Sequence, residues 1–135
     1  MTQLKELGGT MQHTTYLPSQ GTAGTDDHWQ VWNPQFNATV TGVKFVPNAA
    51  ITHDATNFST YTLTNKGTGA GTTSMATRAW SATDSVADTP ESMTLSGTAA
   101  NLLVTSGDAV SMVKTHGGTG LVIPAGVLVI QYTLR

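Results

Sequence analysis

Four histidines and eight acidic residues are the side chains of this 135-residue chain best suited to acid–base or metal chemistry. The histidines are His13, His28, His53 and His116, and no two lie within four residues of each other. The His-x-His pair with a following Glu that a cupin-type metal site needs is missing. Asp26, Asp27 and His28 are consecutive. Neighbours in a strand point to opposite faces, so these three cannot all converge on one ion and read as a solvated loop. His53-Asp54 and the many serines supply the parts of a catalytic triad, but no Gly-x-Ser-x-Gly elbow positions a nucleophile. Paired carboxylates for glycoside hydrolysis fare no better, because Glu6, Asp84, Asp88 and Glu91 fall in loop-like or terminal stretches. Gly67-Thr-Gly69-Ala-Gly71 shares only its glycine content with a phosphate loop. No Gly-Lys-Ser/Thr follows it, so it reads as a hairpin connection that uses positive φ. These motifs call for no enzyme activity, cofactor or metal.

The elements around these residues are strands. Thr60, Thr62 and Thr64 alternate with Tyr61 and Leu63, which predicts a strand with one hydroxylated and one apolar face. Trp29–Trp32, Ala38–Val46, Thr73–Ser81, Ser92–Leu95, Asn101–Val104, Val110–Val113 and Val127–Tyr132 are the other strand candidates. Gly42 sits where a bulge would reset the alternation between Val40 and Val43. Val127–Tyr132 is nearly all apolar and reads as a central strand covered on both faces. About eight short strands, turn signals roughly every ten residues and no convincing helix predict an all-β sandwich or barrel. The predicted core is Val40, Phe45, Tyr61, Leu63, Leu95, Val110, Met112, Leu128 and Ile130. Residues 28–135 are expected to form this domain.

Composition narrows the function classes. Only 10% of residues are charged and the net charge is −2, while 25 are threonine. The six basic residues are scattered, so no patch for nucleic acid is expected. No apolar run is long enough to cross a membrane as a helix. Met1–Thr10 lacks the apolar core of a secretion signal. The absence of cysteine suits assembly in a reducing cytoplasm. Threonine stands where charges are usual, which predicts a surface of neutral hydroxyls.

Residues 1–27 show no sustained period and are expected to form an extended arm. Trp29 and Trp32 follow it. Opposite parity in a strand would bury one and turn the other toward a partner, with core, subunit contact and a carbohydrate shelf as the options.

Two segments then carry a resemblance. Thr39-Val-Thr-Gly-Val-Lys-Phe-Val-Pro-Asn-Ala-Ala50 leads into Asp54-Ala-Thr-Asn-Phe-Ser-Thr-Tyr-Thr-Leu-Thr-Asn-Lys-Gly67. Val104-Thr-Ser-Gly-Asp108, Gly117-Gly-Thr-Gly120 and Pro124-Ala-Gly126 follow. This pattern, over roughly residues 29–132, resembles the head decoration (cement) proteins of tailed double-stranded DNA bacteriophages. The resemblance implies a jelly-roll that binds the outer surface of the capsid, with the major capsid protein as partner. It implies a homo-oligomer, a trimer more often than a dimer, made in the host bacterial cytoplasm and carried on the virion. It implies no catalytic residues. Contacts in such proteins often come from the N-terminal segment, which makes Leu4, Leu7, Tyr16, Leu17, Trp29 and Trp32 the candidate capsid or subunit contacts. A carbohydrate-binding jelly-roll module for host recognition is the alternative.

Overall fold

The computed structural model describes residues 9–135. It is a sandwich of two antiparallel sheets. The first sheet runs in the order β1 (Met11–Leu17), β10 (Gly126–Leu134), β3 (Ala38–Pro47), β6 (Glu91–Ser92), with β8 (Leu103–Val104) also paired to β3. The second runs β2 (Asp27–Trp32), β9 (Ala109–His116), β4 (Ser59–Gly67), β5 (Thr73–Ala79), β7 (Thr94–Leu95). A 3-10 turn over Ala99–Leu102 precedes β8. The all-β sandwich expected from strand rhythm is the architecture found, and it is consistent with the jelly-roll that the resemblance implies.

Alternation places the core. Tyr61 and Leu63 of β4, Val110 and Met112 of β9, and Leu128 and Ile130 of β10 are fully enclosed between the sheets, as are Val40 and Phe45 of β3. Leu95 is only half-buried at the β7 edge and packs on the rim of this cluster. Phe45, Tyr61 and Trp80 form the aromatic centre, with ring centroids 5.3–6.1 Å apart in edge-to-face contacts. Each such contact contributes about 0.5–1.5 kcal/mol beyond the area it buries. Trp80 is capped by polar groups. Its indole N–H donates to Ser85 Oγ at 2.7 Å, which donates to Glu91 Oε1 at 2.6 Å, and the Arg78 guanidinium lies 5.1 Å from the ring.

Two local expectations meet their geometry here and a third does not. The register of β10 against β3 shifts between Gln131 and Tyr132, opposite Gly42 and Val40, so a bulge at Thr41 returns Val40 and Val43 to the same inner face. The Gly67–Gly71 segment closes the β4–β5 hairpin, with Gly67 at φ +55° and Gly69 at φ +131°. A Cβ on Gly71 would sit 2.8 Å from the Asn65 carbonyl oxygen, so the turn also needs a bare backbone there. Ser92–Leu95, read as one strand, is instead divided: β6 pairs with β3 and β7 with β5, so the chain changes sheets at the buried Met93.

Two expectations are corrected. The extended arm does not run to Asp27. Met11–Leu17 is a strand paired along its whole length with β10, and Gln20 bridges Ile123. The inward side chains of β1 are Met11, His13, Thr15 and Leu17, so its middle alternates polar against polar and leaves little hydropathy signal. The second correction concerns β10, which is not covered on both faces. Leu128, Ile130 and Tyr132 point inward, while Val127, Val129 and Gln131 line a half-exposed outer face.

Candidate functional site

The residues expected to make contacts are not brought together. Leu4 and Leu7 lie outside the described residues. Leu17, at the end of β1, is fully buried, so it serves the core and is removed from the candidate contacts. Its neighbour Tyr16 points the opposite way and is 62% exposed. The tryptophans do not split between faces. The register of β2 against β9 skips Val31: Trp29 lies opposite Met112, Gln30 opposite Ser111, and Trp32 opposite Val110. Met112 and Val110 both point inward, so this bulge returns Trp29 and Trp32 to one face. Trp29 is half-buried against Tyr61 at 5.9 Å, and Trp32 is buried against Phe36 and Tyr132. The bulge also turns out the Val31 carbonyl. The His13 Nε2–H donates to it at 2.8 Å and the Thr15 hydroxyl at 2.9 Å, which ties the edge of one sheet to the edge of the other.

The outer face of the second sheet carries the hydroxyls. Thr62 pairs with Val113 on one side and Thr77 on the other, and Thr77 pairs with Thr94. Thr60 pairs with Thr115 in the next row. A field of neutral hydroxyls therefore crosses β9, β4, β5 and β7. At the β2–β9 end of the same sheet a hollow of about 450 Å³ is lined by Asp26, Asp27, His28, Gln30, Lys66 and Val113, among others. The three consecutive residues Asp26, Asp27 and His28 do share this hollow, but their groups are engaged separately. Asp26 Oδ1 lies 2.6 Å from His116 Nδ1, and Asp27 Oδ1 accepts the His28 backbone N–H at 2.8 Å. Among the described residues no three His, Cys, Asp or Glu side chains are grouped to hold a metal ion.

His53 and His116 stand apart, each with its own carboxylate. His53 Nδ1 contacts Asp84 Oδ1 at 2.6 Å, and Asp84 also accepts the His53 backbone N–H at 2.9 Å. These bonds hold the Asp84 carboxyl below its ordinary pKa. Asp54, the sequence neighbour of His53, accepts the backbone N–H groups of Asn57 and Thr56 instead, both at 2.8 Å, and its pKa is lowered for that reason. His53-Asp54 is thus a turn, not two members of a triad. Among the described residues, no serine or threonine hydroxyl is hydrogen-bonded to either ring.

The most unusual polar group is one of the six scattered basic residues. Lys114 is fully buried. Its Nζ donates to Gln20 Oε1 at 2.9 Å and to the carbonyls of Thr22, Ala23 and Thr25 at 3.0, 2.8 and 3.1 Å. An ammonium has three protons, so four acceptors saturate it. Burial lowers the Lys114 pKa from the usual lysine value, and the nearby Asp26 and Asp27 carboxylates oppose that shift. The signal was available in the alternation of β9: Lys114 is in phase with Val110 and Met112, hence inward. Burial also raises the Tyr61 phenol, with Asp27 acting in the same direction. The Tyr61 hydroxyl and Ser111 Oγ are buried and without a partner among the described residues.

No protein-family model, curated protein or solved structure matches the chain.

Proposed function

We propose that this chain is a non-enzymatic structural protein that binds the outer surface of a bacteriophage capsid as a homo-oligomer and stabilises the shell. The observation that carries this reading is the hydroxyl-covered outer face of the second sheet, with Thr60, Thr62, Thr77, Thr94 and Thr115 in adjoining rows. Such a face has little long-range field. Docking on it depends on shape and hydrogen bonds repeated over many copies, and it is only weakly sensitive to salt. The sequence resemblance and the rigid two-sheet scaffold support the same reading. The carbohydrate-binding alternative drew on an exposed Trp29 or Trp32. Both pack inward, so the pair offers no stacking shelf.

Purified protein mixed with expanded empty shells of the cognate phage, imaged by cryo-electron microscopy, tests the proposal. Saturable, symmetric extra density on the outer surface is the expected result. Shells that stay bare at saturating protein refute it.

A further inference from the structure

The edges of the two sheets are not alike. The first sheet ends on one side in two-residue strands, β6 and β8, and the second ends in the two-residue β7. The fourth edge, β2, is broken by the Val31 bulge and begins with the charged Asp27. Short strands, bulges and charges are the usual means by which a sheet edge is kept from pairing with another chain. β1 has none of them. Its seven residues, Met-Gln-His-Thr-Thr-Tyr-Leu, run in unbroken register with β10 and contain no proline, lysine or acidic residue. Its one histidine, His13, faces inward and is tied to the Val31 carbonyl. Among the described residues, only β10 pairs with the β1 backbone, which leaves its other edge open.

We propose that the free edge of β1 pairs antiparallel with β1 of a second copy, about a two-fold axis at Thr14, joining the two first sheets into one. A two-fold interface must complement itself. Centred on Thr14, the exposed face of the strand does so: Gln12 meets Tyr16 and Thr14 meets Thr14, while Met11, His13, Thr15 and Leu17 stay turned toward the core. On that face hydroxyls meet hydrogen-bonding groups, and no like charges face each other. The match in charge is what favours a second copy over an unrelated strand. An edge that is neutral along its length meets its own copy without repulsion, whereas the Asp27 end of β2 would not. Tyr16, 62% exposed in the single chain, gains cover from the partner's Gln12. The proposal deepens the self-association in the capsid reading and makes the dimer, one of the two symmetries implied by the resemblance, the assembling unit. It does not depend on which shell is bound.

Cysteine cross-linking tests it cleanly, because the native chain has no cysteine. Thr14 is exposed, so substitution there leaves the fold intact. Antiparallel partners are about 4.5 or 5.5 Å apart at Cα, and both spacings suit a disulfide. Thr14→Cys is expected to give a covalent dimer under mild oxidation. Gln12→Cys alone is expected not to, since the two copies of position 12 would lie about 13 Å apart along the strands. Mixing Gln12→Cys with Tyr16→Cys restores the cross-link. Thr14→Lys, which sets two ammonium groups against each other on the axis, shifts the mass measured by light scattering toward the monomer. A native chain that is monomeric at all concentrations, or equal cross-linking at positions 12 and 14, overturns the proposal. Shell binding by a chain that does not cross-link at position 14 removes only the β1 pairing. Cross-linked dimers that leave shells bare remove only the capsid reading.

Discussion

Replacing Lys114 with methionine removes one charge while keeping most of the buried stem. In the native chain the ammonium makes four hydrogen bonds of 2.8–3.1 Å, all to the segment from Gln20 to Thr25. Hydrogen bonds to a charged group contribute about 1.5–3 kcal/mol each, and three protons are shared among the four acceptors, so the gross figure is roughly 4.5–9 kcal/mol. Burying an ammonium costs several kcal/mol in return. Lys114→Met strands these neutral oxygens without a donor, at about 1–3 kcal/mol for each that stays buried and unpaired, so a net loss of about 3 kcal/mol or more is expected. The loss should centre on the 20–25 segment, whose carbonyls would have to open to water. Urea unfolding gives the total, and hydrogen exchange gives its location. A loss below about 0.5 kcal/mol, the size of an ordinary surface substitution, would show that the four acceptors are satisfied equally well by water and refute the reasoning. Lys114→Arg, carrying the same charge in a wider head, should fall between the two.

Other expectations can be checked by similar means. Trp32→Ala should lose about 3–5 kcal/mol in urea unfolding, and Trp29→Ala less, because Trp29 is only half-buried; a neutral result for either would return it to the surface. Gly120→Ala should cost more than about 1 kcal/mol, since Gly120 has φ +70° and an added Cβ would lie 2.1 Å from the Ala23 carbonyl oxygen; a thermal melt unchanged from wild type would contradict that geometry. Asp54 and Asp84 have lowered pKa values in the folded state, so the stability they lend to the turn after Ile51 is present above the ordinary value of 3.8 and lost as pH falls through their folded values. The amide shifts of His53, Thr56 and Asn57 should therefore titrate with midpoints below 3.8, and midpoints at or above it would contradict the bonding described.

The strand alternation of the sequence determines much of this molecule. Tyr61 and Leu63 against Thr60 and Thr62, and the Gly67–Gly71 turn, state a period of two and a hairpin in local chemistry, and the fold follows them. The scarcity of charge and the threonine count likewise determine a neutral hydroxylated surface before any sheet is assembled. Lys114 shows that even a buried charge obeys the same alternation, in phase with Val110 and Met112.

Pairing across the sandwich decided the rest. The side chains of β1 do not mark it as a strand; it is one because β10 needs a neighbour, and backbone hydrogen bonds carry no sequence signature. Trp29 and Trp32 share a face because one extra residue, Val31, is accommodated against β9, and whether a strand bulges depends on its partner's register. The acceptors around Lys114 lie about ninety residues earlier in the chain, so only the closed fold brings them to the ammonium. Local periodicity depends on a residue and its near neighbours, and the sequence contains that in full. Edges, bulges and buried charges depend on groups that meet only after the sheets have formed, and these decided which residues of this protein are enclosed and which are exposed.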